Sequence, residues 1–189
     1  MTNIALFASG NGTNVEQITE YFKESKDINV SCVVVNRKNI YVIERAKKLN
    51  LPCYYFNKED FYHSDNVLNL LKERNIDYII LAGFLWLIPN NLLTHFPKKI
   101  INIHPALLPK YGGKGMYGHN VHQAVVENKE TESGITIHYV NQEYDRGDII
   151  FQAKCSVTPQ DNADTLAEKI HLLEKEYFPK TIEKIITNK

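Results

Sequence analysis

Short apolar runs alternate with amphipathic segments along the chain from Ile4 to His104. The runs have strand length and lie at 4–8, 30–35, 53–56, 78–82 and 100–104. The segments between them have the apolar spacing of helices. Runs that are apolar at nearly every position are typical of strands that are buried on both faces of a parallel sheet. The pattern therefore predicts an α/β fold with a mostly parallel central sheet and helices on both faces.

The pattern changes after Pro109. Residues 111–118 contain four glycines and predict a mobile loop, which in a compact domain is typical of a functional segment. A helix near 121–126 and two strands at 134–140 and 148–153, joined by a polar turn, are predicted next. A capping box at Thr165-x-x-Glu168 predicts the start of a long helix, which Pro179 is expected to kink or split.

Composition restricts the classes of function. The 189 residues predict one domain, 1–189, and the 22 basic and 22 acidic residues give a formal net charge of zero. This balance argues against nucleic-acid binding, and no apolar run is long enough to span a membrane. Three widely spaced cysteines, Cys32, Cys53 and Cys155, are typical of reduced thiols in a cytoplasmic protein. No spacing of ligands predicts a metal site.

The fifth apolar run ends in Asn102 and His104, which point to the same side of a strand because they are two residues apart. A hydrogen-bond donor beside a proton-transfer group suits acyl-transfer chemistry. His138 competes with this assignment, because it shares one face of its strand with Thr136; we interpret it as a site neighbour or a structural residue. No comparable context surrounds four other histidines, His63, His95, His119 and His122.

The turn Ser9–Asn14 joins the first strand to the first helix. Its glycines and free N–H groups suit a phosphate, whereas the alternative is a tight turn in which Thr13 or Asn14 caps the helix. It lacks a Walker Gly-Lys-Ser/Thr, and Val15 occupies the third glycine position of a dinucleotide fingerprint. Arg37, after the second strand, keeps NADP binding open.

Two further segments carry polar residues that could reach a ligand. Gly113–Gly118 matches G-x-G-x-x-G, but it follows a loop rather than a strand, so a lid or substrate loop is the better interpretation. Lys114 and Tyr117 in this loop either face the ligand or lie in solvent. An aspartate in the turn between the last two strands typically bonds its own backbone; we expect this of Asp148, whereas Asp145 could instead reach the histidine. A carboxylate beside His104 is expected to raise the pKa of its imidazole.

These motifs resemble the folate-dependent phosphoribosylglycinamide formyltransferases of the formyltransferase superfamily. The segments that carry the resemblance are Asn102-x-His104-Pro105-x-Leu107-Leu108-Pro109, Ser9-Gly-Asn-Gly-Thr-Asn14 and Leu81-Ala-Gly-Phe84. The resemblance implies a Rossmann-like formyltransferase fold that acts as a monomer or homodimer on small-molecule substrates. It implies transfer of the formyl group of 10-formyltetrahydrofolate, a co-substrate, to the amine of 5-phosphoribosylglycinamide in purine biosynthesis, without a metal. Relatives with other substrates carry an additional domain.

The resemblance also implies roles for individual residues. Asn102, His104 and Asp145 would be catalytic. The ribonucleotide would contact Gly12, Thr13, Asn14, His171 and Glu174. The folate would contact Leu85, Trp86, Leu87, Ile88, Asn102, Asn141, Gln142, Glu143, Tyr144 and Asp145. The chain departs from the pattern of many relatives at three places. Trp86 replaces an arginine, only Lys58 stands near the position of a second arginine, and the loop after Gly112 is longer than in those relatives. These departures concern recognition of the folate glutamate tail.

Three alternatives remain. A sugar-amine formyltransferase would share Asn-x-His and the distal aspartate, although the turn Ser9–Asn14 favours a phosphate monoester over a nucleotide sugar. An NADP-dependent oxidoreductase would need the missing third glycine. A binding module without catalysis would not need Asn102, His104 and Asp145 together.

Overall fold

The computed structural model describes residues 1–188. Within this range, seven strands and seven helices follow one another. Their order is β1 (Thr2–Ala8), α1 (Thr13–Phe22), β2 (Ile28–Val35), α2 (Tyr41–Lys48), β3 (Cys53–Tyr55), α3 (Lys58–Tyr62), α4 (Asn66–Glu73), β4 (Tyr78–Leu81), α5 (Asn90–His95), β5 (Ile100–His104), α6 (His119–Glu127), β6 (Glu132–Tyr139), β7 (Ile149–Ser156) and α7 (Ala163–Thr187).

The strands form one sheet in the order β3-β2-β1-β4-β5-β6-β7. The first five strands in this order are parallel, whereas β6 runs antiparallel to β5, and β7 antiparallel to β6. The predicted mostly parallel sheet is confirmed. The chain leaves β1 toward β2 on one side and returns to β4 on the other. This arrangement creates the switch point at which open α/β sheets bind ligands.

Helices cover both faces of the sheet, as the apolar runs predicted. Alternate residues of β1 enter opposite cores: Leu6 packs with α1, α2, α6 and α7, while Phe7 packs with α3, α4 and α5. Both side chains are completely buried. At about 25 cal/mol for each Å² of apolar surface, these two cores supply most of the free energy that holds the sheet in place.

Some predicted boundaries were wrong. Helix α3 was not predicted because five residues are too few for a helical period; it begins where Asn57 Oδ1 accepts the N–H of Asp60. The last helix begins at Ala163, so Thr165 is not its N-cap. Asn162 is the cap, and the hydroxyl of Thr165 accepts the N–H of Asn162 to complete a capping box. Pro179 does not split α7, which continues to Thr187.

Within residues 1–188, none of the helices combines the length and the apolar character that crossing a membrane requires.

Candidate active site

A cavity of about 700 Å³ lies at the carboxyl ends of β1, β4 and β5. This volume is within the usual range for small-molecule sites. All of the predicted site residues line it except Asn141 and Gln142. These two bond elsewhere: Asn141 Oδ1 accepts the N–H of Glu143, and Gln142 Nε2 donates to Asn90. The segments that follow β1, β4 and β5, at 9–14, 83–88 and 102–111, all contribute to the wall.

Asn102 and His104 point to the same face of β5, and the antiparallel neighbour β6 places His138 opposite Asn102. His138 Nδ1 donates to the carbonyl of Tyr139 at 2.8 Å, so its Nε2 is free to accept from Asn102 Nδ2 at 3.0 Å. His138 is therefore a neighbour of the site and orients the Asn102 amide. The second N–H of Asn102 has only a long contact of 3.5 Å to Asp145, which leaves it available to a ligand.

Asp145 closes this group from the turn between β6 and β7. Its Oδ2 lies 3.4 Å from His104 Nδ1 and accepts the N–H of Gly113 at 2.9 Å, and its Oδ1 lies 3.6 Å from His138 Nε2. Burial acts to raise the pKa of the Asp145 carboxyl, but the imidazoles of His138 and His104 and the N–H of Gly113 outweigh it and hold that pKa below its usual value. Asp145, rather than Asp148, reaches the histidines; the Asp148 carboxylate is exposed, 3.8 Å from Lys98.

The carboxylate of Asp145 acts to raise the pKa of His104, as expected, but the net shift of that pKa is downward. The imidazole is only 3% exposed, and burial lowers its pKa below the usual 6.5. The carboxylate of Asp145 and the carbonyl of Tyr111 act in the opposite direction without overcoming burial. The ring is therefore mainly neutral at pH 7. Its Nε2–H donates to the Tyr111 carbonyl at 2.7 Å, so Nδ1 faces the carboxylate.

At the other end of the cavity, the start of α1 offers free N–H groups. The alternative in which Thr13 or Asn14 caps the helix is wrong: Gly12 is the N-cap, in a left-handed conformation and without a side-chain cap. A Cβ on Gly12 would lie 2.3 Å from the Val42 side chain, so a larger residue does not fit. Asn14 instead donates to Glu174 Oε2 at 3.1 Å.

Glu174 belongs to α7 and is 9% exposed, with Asn14 as its hydrogen-bond partner. Burial raises the pKa of its carboxyl from 4.5 to about 7, although the Asn14 hydrogen bond acts to lower it. His171 lies one turn earlier on α7 and lines the same cavity. This pair provides polar groups opposite the start of α1.

The wall after β4 is apolar and aromatic. Trp86 packs edge-on against Phe61 and Phe84, with ring centroids 5.3 and 6.1 Å away, and lies 5.8 Å from the tilted ring of Tyr62. The Tyr62 hydroxyl donates to the carbonyl of Leu87 at 3.1 Å. These contacts hold Trp86 as a firm surface on which a flat ring can stack.

The glycine-rich loop covers the cavity between these two ends. Lys114 and Tyr117 both line it, which favours the ligand-facing alternative for these side chains. The loop leads into α6, where His122 also lines the cavity and is 3% exposed. The absence of context assigned to His122 was therefore wrong. Its spacing from Val121 and Val125 predicts a buried helix face, and that signal could have identified it.

The chain is similar to known proteins over nearly its whole length, and the formyl transferase family matches residues 2–182. The chloroplastic phosphoribosylglycinamide formyltransferase of Arabidopsis thaliana is 40% identical over 173 residues, which are 88% of this chain and 59% of that protein. The phosphoribosylglycinamide formyltransferase of Bacillus subtilis is 33% identical, over 98% of this chain and 95% of that protein. Glycinamide ribonucleotide transformylase 1 from Geobacillus kaustophilus has a crystal structure that matches with a TM-score of 0.89 at 35% identity, covering 98% of this chain and 99% of that one.

Proposed function

Since the chain belongs to the formyl transferase family, we propose that it transfers the formyl group of 10-formyltetrahydrofolate to the amine of 5-phosphoribosylglycinamide, a step of purine biosynthesis. The observation that carries this proposal is the meeting of Asn102, His104 and Asp145 in one cavity with an uncapped helix start. The first group suits acyl transfer, and the second suits a phosphate monoester. We propose that residues 1–189 act as a single catalytic domain.

The acceptor ribonucleotide would lie at the α1 end of the cavity. Gly12, Thr13 and Asn14 would bind its phosphate through backbone N–H groups, since a helix start carries partial positive charge and free donors. Glu174 and His171 would hold its ribose hydroxyls. The support is the free helix start and the position of the Glu174 carboxyl beside Asn14.

The folate would lie at the other end. Its pterin would enter the wall formed by Leu85, Trp86, Leu87 and Ile88, and the segment 141–145 would close the pocket from the opposite side. Glu143 and Tyr144 of that segment line the cavity. Lys58 begins α3 and does not line the cavity. For the part of the folate beyond the pterin, we therefore propose that the main contact with the protein is stacking on the Trp86 ring rather than an ion pair with Lys58.

The chemistry would proceed by direct attack of the acceptor amine on the formyl carbon. The attack forms a carbon–nitrogen bond and places a negative charge on the formyl oxygen, which the free N–H of Asn102 would stabilise. One such donor is typically worth about 3–4 kcal/mol of the barrier. An oxyanion is also a stronger acceptor than a carbonyl, so it would compete with Tyr111 for the Nε2–H of His104.

Proton transfer would complete the reaction. The unprotonated nitrogen of neutral His104 is Nδ1, 3.4 Å from Asp145, so the proton that the attacking amine loses would reach it through the Asp145 carboxylate, which would then stabilise the imidazolium. The imidazolium would release its Nε2 proton to the folate nitrogen as the bond between that nitrogen and the formyl carbon breaks, which returns His104 to its neutral form. No covalent bond to the protein is needed, because both substrates are present together.

The test is an assay of the purified protein with 5-phosphoribosylglycinamide and 10-formyltetrahydrofolate, following release of the deformylated folate and formation of the formylated ribonucleotide. We expect turnover with this acceptor and none with a nucleotide-linked amino sugar. Formylation of the amino sugar alone would overturn the assignment of the acceptor. Absence of formyl transfer to either amine would overturn the proposed reaction.

A further inference from the structure

His122 is a buried cavity residue to which the proposed reaction assigns no role. It lies in the first turn of α6, directly after the glycine-rich loop, and contributes to the cavity wall. Its Nδ1 is enclosed by protein and has no hydrogen-bond partner among residues 1–188. A buried polar atom without a partner costs about 1–3 kcal/mol, so its retention needs an explanation.

His122 shares the cavity with residues of both of its ends. His171, of the proposed ribose end, and His104, of the reaction centre, line the same cavity as His122. Burial lowers the pKa of His122 to about 4, and the imidazoles of His171, His119 and His104 act in the same direction, so the ring stays uncharged near neutral pH. We therefore assign His122 to the stretch of the cavity between the ribose end and the reaction centre.

The tautomer follows from the enclosed nitrogen. A proton on Nδ1 would be a buried N–H without an acceptor, which is rare in proteins. A proton on Nε2 leaves Nδ1 as an unpaired acceptor, which is less unfavourable than an unpaired N–H, and Nε2 is the ring nitrogen left to serve the cavity. The ring therefore offers the cavity a hydrogen-bond donor.

The ribonucleotide would fill this stretch with its glycinamide arm, which links the ribose to the attacking amine. The arm contains one strong acceptor, its amide carbonyl oxygen. We propose that His122 positions the acceptor substrate by donating a hydrogen bond from Nε2 to this carbonyl, an inference that rests on the proposed function. His122 is thus a positioning residue that exchanges no proton with the substrates.

The test compares the wild type with His122→Leu, which removes the donor, and His122→Gln, which keeps an uncharged N–H donor at similar reach. We expect His122→Leu to raise KM for the ribonucleotide about tenfold, the effect of one neutral hydrogen bond, and to leave KM for the folate unchanged. His122→Gln should recover most of the loss. Gln123→Leu is the matched control on the solvent side of α6 and should change neither constant.

A ribonucleotide analogue in which the glycinamide carbonyl is reduced to a methylene provides a second arm. The wild type should bind it about tenfold more weakly than the substrate, and His122→Leu should not weaken its binding further. The inference would be overturned if the loss of binding from the analogue and the loss from His122→Leu multiplied when combined. It would also be overturned by an unchanged KM for the ribonucleotide in His122→Leu. A shift of the pH profile in His122→Gln would overturn it as well, because that would indicate proton transfer.

The analogue measurement needs only the wild type and His122→Gln if His122→Leu does not fold. Failure of the proposed function is distinguishable, because the wild type itself would then form no formylated ribonucleotide.

Discussion

Replacing Glu174 with glutamine should change how the stability of the protein depends on pH. Glu174→Gln keeps the shape of the side chain and an amide oxygen that accepts from Asn14, but it cannot ionise. In the folded protein the pKa of the Glu174 carboxyl is about 7, against 4.5 for an unperturbed glutamate. The folded state therefore holds a proton between these values that the unfolded chain has released.

The sign and size of the effect follow from linkage. A folded pKa raised above the unfolded value means that the stability Glu174 contributes is fully present below pH 4.5 and is lost as pH rises through 7. The difference of about 2.5 pKa units, at 1.36 kcal/mol each, corresponds to about 3 kcal/mol. Little solvent screening reduces it, since Glu174 is 9% exposed. Glu174→Gln should be more stable than the wild type by about that amount at pH 8, and this advantage should vanish near pH 4.5.

The assay is urea unfolding of both proteins at intervals between pH 4.5 and pH 8, taking the difference in the free energy of unfolding at each pH. Groups common to both proteins cancel in this difference. Glu176→Gln on the exposed side of α7 is the matched control, and it should alter stability by less than about 0.5 kcal/mol throughout. A difference for Glu174→Gln that does not vary with pH, or that grows toward acid, would refute the burial argument.

Two further substitutions test the proposed roles by steady-state kinetics. His104→Ala should lower kcat by at least about 100-fold, the usual effect of removing a proton-transfer group. The control His95→Ala changes an exposed residue outside the cavity and should leave kcat unchanged. A folded His104→Ala variant with near wild-type turnover would contradict the role assigned to His104. Asn14→Ala should raise KM for the ribonucleotide about tenfold, because it removes the only hydrogen bond found among residues 1–188 for the Glu174 carboxylate, which would hold the ribose hydroxyls. A raised KM for the folate instead would place Asn14 at the wrong end.

The sequence predicted the mostly parallel sheet because apolar periodicity reports directly which residues are buried. The pair Asn102 and His104 was predictable for the same reason, since two-residue spacing fixes a shared face of a strand. The burial of His122 was predictable from its spacing to Val121 and Val125, but its place in the cavity wall depends on the long-range packing of α6, which no local pattern contains. The N-cap at Gly12 was missed because side-chain propensity favours Thr13 or Asn14, whereas this position is left-handed and Val42 leaves no room for a side chain there.

The protonation of His104 depends on a balance that sequence does not contain. Asp145 was identified as its partner, but the depth of burial that outweighs the carboxylate became visible only in the packed structure. If a neutral His104 accepts the proton of the amine, kcat/KM should rise with pH through the lowered pKa of this imidazole. Asp145→Asn removes the charge that holds that pKa up, so it should move this rise to lower pH while also lowering kcat, because the imidazolium formed in the reaction loses its partner. We expect the pH profiles of the two proteins to show both changes together. A kcat/KM that falls as pH rises through this pKa would mean that His104 acts in its protonated form, and the proposed direction of proton transfer would have to be reversed.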